Sequence, residues 1–376
     1  MNLNYKIILN LFVSVFTMLQ ADLYASSNTI NQLQIEEGFN IEIFVENIDT
    51  PRQMAESDNG NIFVGSRSGG TISVIDKNKN IRVIAKDLSN STGVTYHDGD
   101  LYFSEVNSIW KISDIDNTLK NTKGILRKEL VTNNLPSDTW HGWKWIDFGP
   151  DEKLYVPVGA PCNICNPSLE EEYGFDDRYA SIMRLNEGEW EFVARGVRNT
   201  VGFDWHPKTN KLYFSDNGRD WLGDDSPSCE LNVINEEGDF FGYPYKHAKN
   251  VIDPEYGHLI PTVNRDFVDP IAELGPHVAP LGIAFYDQDT FPDKYKNSIF
   301  VALHGSWNRT KKSGYKVVFV QLDDKGNYIN QEDFITGWLS NENAWGRPVS
   351  PLVMKDGTML LSDDKHNVIY RISYKG

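Results

Sequence analysis

The sequence predicts an all-β chain folded as a six-bladed β-propeller, and three observations carry that expectation. One hairpin-sized pattern recurs six times. Its copies start roughly 40 to 80 residues apart, a spacing that suits four-stranded repeats with unequal insertions. Segments with helical periodicity are few. Each copy is a short alternating strand, a turn rich in Asp, Asn, Gly or Lys, and a second, more apolar strand. That is the period-2 and turn chemistry of a β-hairpin.

The copies run in order. They are "QMAESDNGNIFVGSRSGGTISVID" from Gln53, "GVTYHDGDLYFSEVNSIWKI" from Gly93 and "WIDFGPDEKLYVPVGAPCN" from Trp145, then "GFDWHPKTNKLYFSDNGRD" from Gly202, "GIAFYDQDTFPDKYKNSIFVALHGS" from Gly282 and "SPLVMKDGTMLLSDDKHNVIYRI" from Ser350. Some continue into a third strand, as "GTISVID" and "SIWKI" do. An irregular two-sheet sandwich is the competing architecture, and six similar hairpins disfavour it. The expected domain is a single propeller over residues 30–376.

The first 25 residues stand apart. Lys6 is followed by the apolar run "IILNLFVSVFTML", with small residues at Ala21 and Ala25. This reads as a signal peptide cleaved between those alanines, with an uncleaved anchor as the alternative. Export would place the protein in the periplasm or outside the cell. No later run is long and apolar enough for stable membrane insertion. With 376 residues and 40% hydrophobic content the chain can bury a large core. A formal charge of −17 repels nucleic acid and anionic membrane surfaces and sets those partners aside. Of three cysteines, Cys162 and Cys165 are placed to pair across "CNIC" in an oxidising compartment, which leaves Cys229 free. The motif lacks the His of a haem attachment site and a second CxxC for zinc.

In a propeller the loops at one end of the channel converge. The second strands end in "VGAPCN", "FSDNGRD", "VALHGSWNR" and "LLSDDKHN", and the first strands follow "WHGW", "GVRN", "HVAPLG" and "WGRPVS". These groups are expected to face one pocket. His141 stands between Trp140 and Trp143, either as a packed residue or as a base poised near neutral pH. Arg198 and Arg347 offer planar donor forks suited to carboxylate or quinone oxygens, with Asn199 and His304 beside them. Together they suggest an anionic ligand. Asp220, Asp224, Asp225 and Glu230 lie close together in one connection, either as a solvated acidic loop or as hard oxygen ligands for calcium.

"GVRNTVGFDWHP…LYFSDNGRDWLGDD…ELN", "HGW…FGPDEKLYVPVGAPCN", "ALHGSWNR…GYKV" and "WGRPVSPLVMKDGTMLLSDD" together resemble the quinoprotein sugar dehydrogenases, most closely the L-sorbosone and pyranose dehydrogenase branch. The resemblance covers about residues 35 to 375. It implies pyrroloquinoline quinone (PQQ) in the channel mouth, a calcium ion on the quinone, and hydride transfer from a sugar. It implies His141 as general base, with Arg198 beside the reacting carbonyl. Arg198, Asn199, His304 and Arg347 would bind PQQ. The calcium ligands would be largely main-chain oxygens around Gly218 and Arg219, with an acid such as Asp224 and the carbonyl of Phe241. Trp140 replaces an acid and His304 a lysine of the glucose dehydrogenases, which points away from glucose. Electrons would pass to a separate soluble or membrane acceptor. A calcium-dependent lactonase-type hydrolase or a non-catalytic binding propeller are the competing functions, because the fold hosts all three.

Overall fold

The computed structural model describes residues 29–376; the segment read as a signal, 1–25, lies outside the described residues. Six sheets of four or five strands follow one another along the chain. Blade 1 comprises Pro51–Glu56, Ile62–Ser66, Ile72–Ile75 and Ile81–Ala85, and blade 2 comprises Val94–His97, Asp100–Ser104, Ile109–Ile112 and Glu129–Thr132. Blade 3 begins with Asp147–Phe148 and Leu154–Val158 and continues with Ser181–Asn186 and Glu189–Arg195. Asp239–Phe240 joins its outer edge in parallel. Phe203–Trp205, Leu212–Asp216, Ser228–Val233 and Ala272–Pro276 form blade 4. Blade 5 holds Pro280–Tyr286, Ser298–Leu303, Lys316–Leu322 and Tyr328–Thr336, with Gln34–Ile35 added at its edge. Each hairpin read from the sequence supplies the first two strands of one blade.

Blade 6 closes the ring. Pro348–Val353, Met359–Asp363 and Val368–Tyr374 come from the C-terminus, and the outermost strand, Phe39–Glu46, comes from the other end of the chain. The two ends are therefore zipped together by an antiparallel ladder from Phe39↔Tyr374 to Glu46↔Val368.

The core follows from the period of the strands. Successive side chains point to opposite faces of a blade, so each strand feeds two different inter-blade interfaces. In blade 1, Ile62 and Val64 pack with Leu360 and Ile369 of blade 6, while Phe63 packs with Leu101 and Phe103 of blade 2. In blade 6, Met359 and Leu361 face Phe300 of blade 5 and Leu360 faces blade 1. Equivalent clusters join blades 2 and 3, 3 and 4, and 4 and 5. Every interface in the ring thus has its own apolar layer. Each fully buried aromatic or aliphatic side chain there contributes about 1.5–3 kcal/mol.

Near the channel, first strands of neighbouring blades approach so closely that side chains are excluded. A Cβ on Gly202 would lie 2.2 Å from the Leu281 carbonyl oxygen of blade 5, and one on Gly282 would lie 2.8 Å from that of Val349 in blade 6. Among the described residues no helix is long and apolar enough to cross a membrane. Cys162 and Cys165 form the expected disulfide, and Cys229 is free and buried.

Candidate functional site

Two blades build their channel-facing loops with the same device. The second strand of blade 4 ends in Ser215-Asp216 and that of blade 6 in Ser362-Asp363. Each serine hydroxyl donates to a carbonyl of the next blade: Ser215 to Leu281 at 2.7 Å and Ser362 to Arg52 at 2.9 Å. Each aspartate accepts main-chain N–H groups from the segment leading into its own blade. Asp216 takes those of Arg198 (2.9 Å) and Asn199 (2.6 Å), and Asp363 takes that of Arg347 (2.9 Å). Burial pushes both carboxyls up to about 6. The arginines before these blades are thereby aimed by their main chains.

The loops enclose a cavity of about 680 Å³, whose wall includes His141, Arg198, Asn199, Asn217, Gly218, His304 and Arg347. His141, Arg198, Asn199, Gly218, His304 and Arg347 are thus brought to one place, as the blade pattern anticipates.

His141 Nδ1 lies 2.8 Å from the carbonyl oxygen of Ala160. A carbonyl only accepts, so Nδ1 carries the proton and Nε2 of the neutral ring holds the free lone pair. Burial, then the charge of Arg198, lowers this imidazole well below 6.5, against the opposing pull of the Ala160 carbonyl. The ring fits because position 159 is glycine: a Cβ there would sit 2.6 Å from the His141 Cβ.

Arg198 is held on three sides. Nε donates to the Asn163 carbonyl (2.9 Å), Nη2 to the Asn163 side-chain oxygen (2.8 Å), and Nη1 to the Asn217 carbonyl (3.0 Å). Asn163 sits inside the Cys162–Cys165 loop, and the buried Tyr243 hydroxyl packs on both sulfurs. The disulfide therefore sets the position of the residue that aims Arg198. Asn163→Ala is expected to weaken binding of PQQ, the anionic ligand the motifs imply, by about 10-fold or more, the scale of a lost hydrogen bond to a charged group. Titration of quinone absorbance measures it, and wild-type affinity would remove Asn163 from this role.

A second cluster lies beneath His304. Asp364 meets Arg52 at 2.9 Å, His304 Nε2 at 2.7 Å and Arg67 at 3.6 Å. Burial alone would raise the Asp364 carboxyl; Arg52 and then His304 outweigh it and hold it well below the usual range. Burial pushes His304 down to about 3, so a neutral imidazole donates to a carboxylate here. Arg347 donates through Nε to the His304 carbonyl at 2.9 Å and through Nη2 to that of Gly305. Trp143 lies under both Arg52 (5.9 Å) and Arg67 (5.5 Å).

Side chains of the acidic loop pair within the protein. Gly218 is in the cavity wall. The Arg219 guanidinium is committed to Asp253 (2.5 Å) and Glu255 (2.9 Å). Asp224 accepts the main-chain N–H of Thr310 at 3.0 Å, and Phe241 is buried against Phe214, 4.8 Å between ring centres. Glu230 is buried, accepting N–H of Ala248 (2.6 Å) and Asn232 (2.9 Å); burial, then the charge of Asp216, pushes it up to about 8. Two acids stand on the cavity wall, Asp138 and Asp220, and Asp220 lies 3.6 Å from Arg198 and 3.7 Å from His277. Among the described residues, no three His, Cys, Asp or Glu side chains converge as a metal set.

Sequence reasoning missed Arg52 and Arg67, and it read no individual role for Asn163, His277 and Asp364, which lie in segments it expected to face the pocket. For Arg52 the signal was present: "TPRQ" stands before its hairpin as "GVRN" and "WGRPVS" stand before theirs.

A sequence profile of the TrAA12-like family matches residues 33–259 and 261–375, nearly the whole described chain. The chain belongs to the TrAA12-like family. The likeness of its motifs to the PQQ-dependent sugar dehydrogenases is borne out by relatives of this TrAA12-like chain. An uncharacterized protein of Borreliella burgdorferi is 38% identical over 364 residues, covering 93% of each chain. The pyrroloquinoline quinone-dependent pyranose dehydrogenase of Coprinopsis cinerea is 26% identical over 345 residues, covering 77% of this chain and 45% of that protein. The TrAA12-like chain therefore spans under half the length of the Coprinopsis enzyme. The solved holo form of that enzyme's PQQ domain superposes with a TM-score of 0.74 at 20% identity, over 91% of this chain and 97% of the domain, and shares the fold.

Proposed function

We propose that the chain is a PQQ- and calcium-dependent dehydrogenase. In this reading it oxidises an aldose or a related sugar of the sorbosone kind and passes the electrons to a separate soluble or membrane acceptor. The observation that carries the reading is His141, a neutral imidazole whose Nε2 lone pair is left free on the wall of an arginine-lined cavity.

The wall fits an anionic quinone. Arg52, Arg67, Arg198 and Arg347 all border the cavity, and three buried polar atoms of its lining residues, Arg52 Nε, Trp143 Nε1 and Asn199 Oδ1, have no protein partner. Arg198 and Asn199 would hold the quinone edge, and Arg347 with Arg52 the carboxylates. His304 would act by holding Asp364, which keeps the arginines in place. For calcium, the hard oxygens on this wall include the Asp220 carboxylate and main-chain oxygens near Gly218. PQQ, when bound, supplies the acceptor for the sugar's hydride, and calcium a Lewis acid on its oxygens.

His141 Nε2 takes the proton of the sugar hydroxyl. The Ala160 carbonyl holds the tautomer that makes this possible. Trp140 and Trp143 flank the base on the cavity wall. An arginine-lined wall favours this reading over a lactonase, which needs acids ringing a metal. The apolar run after Lys6 and the Cys162–Cys165 disulfide support export to the periplasm or the medium.

Reconstitution tests the proposal. Apoprotein titrated with PQQ and calcium is expected to bind the quinone, and an aldose or 2-keto-aldose is expected to reduce it, read from quinone absorbance. Quinone that binds but is reduced by no sugar of either class would overturn the dehydrogenase reading.

A further inference from the structure

Of ten tryptophans, three are exposed: Trp140 (53%), Trp221 (66%) and Trp307 (65%). All three stand at the mouth of the cavity that holds His141. Trp140 and Trp307 border it from the loops of blades 3 and 5, and Trp221, from blade 4, meets Trp307 edge to face at 5.5 Å. Exposed apolar groups gathered beside a cavity and rimmed by polar residues mark a ligand-binding surface.

The pair is built, and the acidic loop builds it. Asp224 accepts the main-chain N–H of Thr310 at 3.0 Å through its side chain and Arg309 Nε at 2.9 Å through its carbonyl. Asp225 pairs with Arg309 at 2.8 Å, and His277 Nε2 donates to the Gly223 carbonyl at 2.8 Å. The base of the Trp307 loop is closed by the Ser306 N–H to the Ser313 carbonyl at 2.9 Å. Trp221 itself sits at φ 71°, a left-handed conformation that costs a bulky side chain and persists only where the surroundings impose it. Two loops from different blades are thus locked together with their indoles outward.

The chemistry of the rim selects a neutral polyhydroxy ligand. The flat C–H face of a pyranose stacks on indole, and Asp138, Asp220 and Asn308 beside the rings accept or donate to hydroxyls. The acids exclude an anionic extension. Position then decides how far the ligand reaches. The reacting hydroxyl must meet His141 Nε2 inside the cavity, whereas Trp221 lies outside the lining. A ring stacked on Trp221 is a different ring from the one oxidised.

We propose that Trp221 and Trp307 form an outer subsite for a second ring of a neutral oligosaccharide whose end ring is presented to His141. The choice of reacting ring rests on the dehydrogenase reading; the subsite does not. Two measurements separate them. With apoprotein and no quinone, calorimetry with glucose, cellotriose and maltotriose is expected to show at least one trisaccharide binding about 10-fold tighter than glucose, a gain Trp221→Ala removes. With reconstituted holoenzyme, the ratio of kcat/KM for cellobiose, maltose or lactose to that for the matching monosaccharide is expected to exceed one and to fall about 10-fold in Trp221→Ala and Trp307→Ala. This ratio cancels the fraction of folded enzyme. Trisaccharides that bind no tighter than glucose, or a ratio the variants leave unchanged, overturn the subsite. So does an altered KM for the electron-accepting dye with an intact sugar ratio, which would assign the rim to the acceptor. Tryptophan-dependent trisaccharide binding by a protein that reduces no quinone would uphold the subsite and sink the dehydrogenase reading.

Discussion

His141→Ala is expected to lower turnover by at least about 100-fold, the usual scale for loss of a general base, while quinone affinity stays near wild type. The separation follows from the geometry. Arg198, Asn199 and Arg347 are aimed by Asp216 and Asp363, and Arg198 also by Asn163. None of them depends on the His141 ring. The pH profile supplies a second signature. Burial and Arg198 lower the His141 imidazole well below 6.5, so the neutral, proton-accepting form persists as pH falls through neutrality. In the wild type the acid limb of kcat/KM is therefore expected below pH 6.5, with activity lost only as pH drops through the lowered value. In the variant that limb is expected to disappear. Near-normal turnover, or an unchanged acid limb, would take the role from His141.

Asp364→Ala is expected to cost about 3–5 kcal/mol of stability at pH 7, the scale for breaking a buried ion pair from one side. The carboxylate is 1% exposed and faces Arg52, itself 5% exposed. Without Asp364, burial and the charges of Arg67 and Arg347 act on Arg52 with nothing to offset them; even with it, burial lowers that guanidinium to about 10. Urea unfolding at pH 7 measures the loss, and a wild-type free energy would show that the cluster is not held by its charge. The pH dependence has a sign. Asp364 is depressed in the folded state, so its contribution is fully present above the unfolded value, about 3.9, and is lost as pH falls further. His304 acts higher: the unfolded ring takes a proton below about 6.5 and the folded one only near 3, so stability declines across that window. In Asp364→Asn the decline below pH 4 is expected to shrink and that between 6.5 and 4 to remain.

The hairpins were legible because their causes are local. Alternation of Ile62, Phe63 and Val64 and the turn "SDNGN" act within a few residues, so strand positions follow from the text of each repeat. His141, Arg198, Asn199, His304 and Arg347 were legible for a related reason: they occupy matching places in successive repeats, and a ring of blades brings matching places together. The partners of the acidic loop were not. Asp224 and Asp225 are close in sequence to Gly218, but their partners Thr310 and Arg309 come from the next blade, and sequence distance alone cannot show that competition.

By itself, then, the sequence determined the repeat, the number of blades and the residue types at the channel mouth, because these depend on period and neighbour chemistry. The tertiary structure decided what those groups touch. Arg52, Arg67, His304, Arg347 and Asp364 are scattered over three hundred residues and meet only when Phe39–Glu46 zips onto Val368–Tyr374. The free nitrogen of His141, the clamp of Asn163 on Arg198 and the paired indoles at the cavity mouth arise in the same way. Contacts between distant segments are set by which faces the closed ring forces together, and no local pattern encodes them.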